Sequence, residues 1–306
     1  MKPWSRAVRL VSTLILAVAV AAVALAGCGD DTDVASTGSD TPASSSAPRR
    51  IISLAPTATE ILYAIGAGDA VVAVDDQSNY PPEAPRTDLS GFTPNIEAIV
   101  GYEPDLVVLT DDIDDVIARL DDLGIPTLAV PAAKTLDEAY AQWEQIGEAT
   151  GHLDEAKQLV EETKERIAAA LKRVPEFERP PRYYHELDTM LFSVTSSTFI
   201  GEVYALAGLE NIADPADTTG SGYPQLSAEF IVDEDPDIVF LADTKCCGES
   251  AETFAKRPGF GAIAAVRNGA VVALDDDIAS RWGPRTADLL EVVVDALQSL
   301  PAPARA

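Results

Sequence analysis

The chain reads as an α/β protein: two Rossmann-like lobes related by an internal repeat, joined by one long helix, with a ligand cleft between the lobes. Three observations lead there. From Arg50 onward, short apolar runs alternate with helical patterns, which is how parallel-sheet units are written. A helix–proline–strand phrase occurs twice. Asn95-Ile96-Glu97, Ile99-Val100 and Pro104-Asp105 precede Leu106-Val107-Val108-Leu109. Ser227-Ala228-Glu229, Ile231-Val232 and Pro236-Asp237 precede Ile238-Val239-Phe240-Leu241, with Glu, Ile-Val and Pro-Asp in register 132 positions later. Finally, 306 residues exceed the length of about 150 that one domain usually takes.

The elements follow in order. Lys2, Arg6 and Arg9 precede an uncharged run from Leu10 to Ala26, so residues 1–27 read as a signal peptide, too short for a comfortable membrane span. Leu25-Ala26-Gly27-Cys28 resembles the lipobox of bacterial lipoproteins, which implies cleavage before Cys28 and a lipid on its sulfur. An uncleaved anchor and a plain secretory signal are the other readings. Residues 28–48 are mostly Ser, Thr, Asp, Ala, Gly and Pro and form a flexible tether. The N-terminal lobe takes 49–135, with strands at Ile51–Leu54, Val71–Val74 and Leu106–Leu109 and a helix from Thr59 to Ile65 closed by Gly66. Residues 136–174 carry Ala139, Trp143, Ile146, Ala156, Val160 and Ile167 at helical spacing, and form the interlobe helix, with Gly151-His152 as a candidate break. Pro175, Pro180 and Pro181 end it before the strand Tyr183–Leu187. The C-terminal lobe takes 175–300, and 301–306 are a disordered tail.

Charge narrows the function classes. There are 22 Lys+Arg against 50 Asp+Glu, a net charge of −28, which excludes a nucleic-acid partner that must be held by basic groups. A hydrophobic share of 47% excludes a wholly disordered chain. Two histidines are too few for a histidine-rich metal site. No nucleophile elbow, phosphate loop or H-E-x-x-H occurs, so neither an enzyme nor a cofactor is expected.

The run RIISLAPTATE at 50–60, Asn79-Tyr80-Pro81-Pro82, Asn95-Ile96-Glu97 with Pro104-Asp105, and Ser280-Arg281-Trp282-Gly283-Pro284-Arg285 together resemble the cobalamin and ferric-siderophore binding proteins of ABC importers. The resemblance covers about 49–300. It implies limited lobe closure, a corrinoid or ferric siderophore held between the lobes, and delivery to a permease of two subunits by a monomer outside the cell membrane. It also implies that Glu97 and Glu229, one in each lobe, face permease arginines. Their plainer reading is a carboxylate in the first turn of a helix, complementing its dipole. A haem receptor, a sensor that delivers nothing, and an extracytoplasmic enzyme on the same scaffold are the alternatives.

Ligand contacts in open α/β sheets come from loops at the carboxyl ends of strands. That rule selects Pro56 and Thr57, then Asp76 and Tyr80, Asp111 and Asp112, and Trp282. Phe92 stands where the resembled family often has an aromatic, and Tyr223, in Gly220-Ser221-Gly222-Tyr223, is its second-lobe counterpart; each is either a ligand face or loop packing. Arg281 and Arg285 either bind an anionic group or pair with Asp275 to Asp277, Arg281 being the better contact because it adjoins Trp282. His185 is either a core histidine or a cleft contact. Cys246 and Cys247 follow a strand of the second lobe and are assigned to the cleft. Successive Cα atoms lie about 3.8 Å apart, below the usual disulfide span. A vicinal disulfide is therefore open to them only as a strained eight-membered ring; soft metal binding is the lesser alternative.

Overall fold

The computed structural model describes residues 47–301. The first lobe comprises β1 (Ile51–Leu54), α1 (Pro56–Ala64), β2 (Val71–Asp75), β3 (Arg86–Leu89), α2 (Ile96–Val100), β4 (Leu106–Leu109), α3 (Val116–Asp121) and β5 (Thr127–Ala129). Its five strands are all parallel, in the order β3-β2-β1-β4-β5. A helical pair follows, α4 (Leu136–Thr150) and α5 (Leu153–Leu171). The second lobe opens with β6 (Arg182–Glu186), α6 (Phe199–Leu206), β7 (Glu210–Asn211), α7 (Ala228–Glu234) and β8 (Ile238–Leu241). It continues with α8 (Thr244–Cys247), α9 (Ala251–Ala255), α10 (Ala264–Arg267), β9 (Val271–Ala273), α11 (Asp276–Ser280) and α12 (Thr286–Ser299). This sheet is also parallel, ordered β7-β6-β8-β9.

The repeat is structural as well as verbal. Ile51 pairs with Leu106 in the first sheet and Tyr183 with Ile238 in the second, each partner displaced by the same 132 positions. β1, β4 and β8 are buried along their whole length, because helices cover both faces of each sheet. Each lobe therefore holds two cores. Ile51, Val74 and Val108 face one side of the first sheet while Ile52, Ala73 and Val107 face the other. Tyr183 and Phe240 are divided from Tyr184 and Val239 in the same way.

The stretch 136–174 is not a single helix. Gly151 adopts φ 79°, a left-handed conformation that ends α4, and His152 N–H closes back on Gly147 O at 2.7 Å. The chain then reverses. Lys164 Nζ lies 5.2 Å from the centre of the Tyr140 ring, whereas 24 residues of straight helix would separate them by about 36 Å. Gly147 permits the close crossing, since a Cβ there would stand 2.6 Å from that of Ala156. α4 thus packs mainly in the first lobe, with Ala139 in the core of the second, and the helix that runs from one lobe to the other is α5, about 28 Å long. Its Ala156 and Val160 belong to the core of the first lobe and its Ile167 and Ala170 to that of the second.

Among the described residues no helix is long and apolar enough to cross a membrane. The signal peptide, Cys28, most of the tether and residues 302–306 lie outside the described residues.

Candidate functional site

The carboxyl ends of the strands carry two rims. On the first lobe, Pro56 sits at the first turn of α1 and Thr57 beside it is buried. Ser53, Thr59 and Ser78 share a chain of hydroxyl hydrogen bonds, 2.8 Å at each link, that fixes the ends of β1 and β2. Asp75 is buried and accepts the Ser78 N–H at 2.8 Å; burial pushes its carboxyl above the ordinary range. Asp76, Asp111 and Asp112 are exposed. Gly91 crosses the same strand ends so tightly that a Cβ would meet Leu54 O at 2.5 Å and Asp75 Oδ2 at 3.2 Å. This loop presents Phe92, whose surface is 71% exposed.

The second rim is built from the loops after β6 and β7. Asp217 accepts the N–H groups of Ser221 and Gly222, and these bonds hold its carboxyl below the ordinary range. They shape a turn with Gly220 at φ 69° and Gly222 at φ 82°, which turns out Tyr223. Gln225 Nε2 donates to Met190 O at 3.0 Å, so exposed Met190 and Tyr223 belong to one surface. Met190 has no turn or motif that marks it in the sequence. Cys246 and Cys247 are exposed on α8, whose first N–H groups donate to the Asp276 carboxylate.

Between the rims is a polar joint. Glu60, on α1, is 3% exposed and takes Arg281 Nη1 at 2.8 Å, Arg285 Nε at 2.8 Å and Arg285 Nη2 at 2.5 Å. Arg281 Nη2 also binds Asp277 Oδ1 at 2.8 Å and Gln77 O at 3.0 Å. Asp277 accepts from Lys245 and, across the lobes, from Asn79 Nδ2 at 3.0 Å. Trp143 Nε1 donates to Trp282 O, and Trp282 Nε1 to Gln142 Oε1, so the indole bonds α4 to the second lobe. Tyr80 stacks under the Arg285 guanidinium at 4.3 Å.

The expected contacts therefore divide. Phe92, Tyr223, Asp76 and the two cysteines stand at strand ends with free surface. Arg281, Arg285, Trp282 and Tyr80 meet at the joint. Arg281 does pair with Asp277, but its other carboxylate partner is Glu60, which also holds Arg285. Glu60 closes the run RIISLAPTATE, and nothing in the sequence assigns it a contact. His185 is a core residue. It is fully buried, Nδ1 lies 2.8 Å from the Tyr204 hydroxyl, and burial pushes the ring down to about 3, so it is neutral.

Glu97 and Glu229 are each the second residue of a short helix, α2 and α7. Asn95 Oδ1 accepts Ala98 N–H in one, and Ser227 Oγ accepts Phe230 N–H in the other. Both glutamates are exposed and have no ion-pair partner among the described residues.

The family model described as periplasmic binding protein matches residues 51–278. The cobalamin-binding protein of Halobacterium salinarum is 38% identical over 201 residues, 63% of this chain and 54% of that protein, so the chain spans about half the length of that relative. The uncharacterized ABC transporter substrate-binding lipoprotein YvrC of Bacillus subtilis is 31% identical over 306 residues, 92% of this chain and 95% of that one. The crystal structure of the periplasmic vitamin B12 binding protein BtuF of Vibrio cholerae superposes with a TM-score of 0.68 at 30% identity, over 82% of this chain and 98% of that chain. With three-quarters of its length matched and both lobes shared, the chain belongs to the periplasmic binding protein family.

Proposed function

We propose that this chain is the extracytoplasmic substrate-binding component of an ABC importer, that it captures a corrinoid between its lobes as a monomer, and that a lipid on Cys28 tethers it to the membrane. Glu97 and Glu229 then dock one lobe on each permease subunit. The observation that carries this reading is their matched placement: the same helix position in both halves of the repeat, exposed and unpaired among the described residues. Two symmetry-related anions orient an encounter and select a partner more than they add affinity. A role as helix-dipole complement alone would not require them to match between lobes.

The corrinoid is favoured over a ferric siderophore by charge. A polyanionic catecholate chelate needs free cations. The nearest candidates, Arg281, Arg285 and Lys245, are each committed to carboxylates of the joint. Exposed Phe92, Met190 and Tyr223 offer apolar faces to a large planar ligand instead. For haem, buried His185 offers no accessible nitrogen, which leaves the exposed Tyr80 and Tyr223 hydroxyls as its axial ligands.

Calorimetry of the full-length chain in detergent with cyanocobalamin, haemin and a ferric catecholate siderophore tests the reading. Cyanocobalamin alone is expected to bind, and to stabilise the fold by about 2.7 kcal/mol at a hundredfold excess over Kd. Binding of the siderophore without cyanocobalamin would overturn the choice of cargo. Binding without uptake in cells that carry the permease would point to a sensor.

A further inference from the structure

Cys246 and Cys247 carry neither the charge preference nor the docking, yet their placement is unusual. Both are exposed on α8, a single turn closed by Gly248 at φ 73°. Neighbouring residues of a helix point about 100° apart, so adjacent side chains ordinarily splay. Here the two sulfurs face each other at 2.6 Å, well inside the separation of two unbonded sulfurs in contact. The pair also adjoins the interlobe contact. Lys245, the preceding residue, reaches Asp277, and Asp277 in turn holds Asn79 of the first lobe. Soft-metal binding has less support, since the described residues hold no group of three or more His, Cys, Asp or Glu arranged for a metal ion.

We propose that Cys246 and Cys247 are an oxidation site, closing into a vicinal disulfide when the chain meets a small-molecule disulfide such as oxidised glutathione, and that the closed ring forms part of the cleft wall. One cysteine thiolate attacks the external disulfide and releases one small thiol. The other cysteine then displaces the second small thiol from the mixed disulfide. The pair loses two electrons and two protons, and the oxidant leaves as two thiols. Because Cα atoms of adjacent residues are closer than an ordinary disulfide allows, the ring is strained and reopens more readily than a structural cross-link. It is therefore a reversible feature of the cleft. Cys247 N–H donates to Asp243 O, so ring closure bears on the whole α8 turn beside the joint. Only the role as cleft wall rests on the corrinoid reading.

The full-length chain, equilibrated across glutathione redox ratios and quenched with an alkylating agent, reports the ring on the peptide that contains both cysteines. That peptide is expected unalkylated and lighter by two hydrogens at the oxidising end, and doubly alkylated at the reducing end. Double alkylation throughout, bound glutathione at either cysteine, or chains cross-linked through these residues would each overturn the proposal. Cyanocobalamin affinity, measured after removal of the glutathione, is expected to differ several-fold between oxidised and reduced protein. It should be indifferent to redox treatment in the Cys246→Ser/Cys247→Ser variant. Equal affinity in both states would overturn the cleft-wall role with the ring intact. Failure of cyanocobalamin to bind in any state would overturn the corrinoid reading and that role together, while the peptide result would still decide the ring.

Discussion

Arg281 Nη1 lies 2.8 Å from Glu60 Oε1, and this contact joins two lobes through residues 221 positions apart. Arg285 grips the same carboxylate, so one buried anion holds two guanidinium groups of the other lobe. Removing the anion leaves two cations facing each other with little water. Breaking such a buried pair from one side costs about 3–5 kcal/mol. Glu60→Ala is expected to lower stability by that order in urea unfolding. Arg281→Ala should cost less, because Arg285 still neutralises Glu60. A loss for Glu60→Ala no larger than that of an exposed pair, under about 1 kcal/mol, would show that the joint is held by packing instead.

Gly91 gives a second prediction, from space alone. A methyl group at this position would meet Leu54 O at 2.5 Å, and that carbonyl belongs to a central strand that cannot yield. The loop must move instead, and Phe92 moves with it. Gly91→Ala is expected to weaken cyanocobalamin binding by about tenfold, roughly 1.4 kcal/mol, while unfolding stability changes less. Unchanged affinity would remove Phe92 from the binding surface.

The two rim glutamates give a third. Glu97→Arg/Glu229→Arg reverses both exposed charges without touching a core, so stability and cyanocobalamin affinity should stay within error of the parent. Uptake into cells that carry the cognate permease should be lost, with each single variant intermediate. Transport at the parent's rate would leave both glutamates only the role of complementing the helix dipole.

What was legible in the sequence follows from burial. β4 and β8 show as unbroken apolar runs, and β1 as one interrupted by Ser53 alone, because both of their faces are covered. Two edge strands escape notice: Arg86–Leu89 buries only Leu89, and Glu210–Asn211 is two residues long. The break at Gly151-His152 is visible, but the reversal is not, since helical spacing is the same on both sides of a tight turn. In the site, Phe92 and Tyr223 are marked by the turns that expose them. The joint is not marked, because nothing local connects Glu60 to Arg281 and Arg285. Of their nearer acidic neighbours, Asp277 does bind Arg281, while Asp275 binds Lys245.

Asp243 supplies the last prediction, for pH. Its carboxyl is fully buried after β8, and neither oxygen has a hydrogen-bond partner among the described residues. Beside it is buried Glu186, held by Arg257 at 2.7 and 2.6 Å and by the Tyr184 hydroxyl at 3.1 Å; Glu249 shares Arg257 at 3.0 Å. Burial, then the Glu186 and Glu249 charges, push Asp243 from 3.8 up to about 7, against the pull of Arg257. Between those values the folded chain keeps a proton that the unfolded chain releases. The stabilising contribution is therefore complete below about pH 3.8 and is lost progressively as pH rises towards 7. Asp243→Asn keeps the site neutral throughout. Its advantage over the parent should be absent near the acid end and grow towards about 4 kcal/mol by about pH 8, as read from urea midpoints. His185 works in the opposite direction: pushed down to about 3 by burial, it weakens the fold as pH falls below 6.5. That loss is common to parent and variant and cancels in their difference. An advantage that is the same at both ends of the range would mean that Asp243 is ionised in the fold, with its charge met by Arg257.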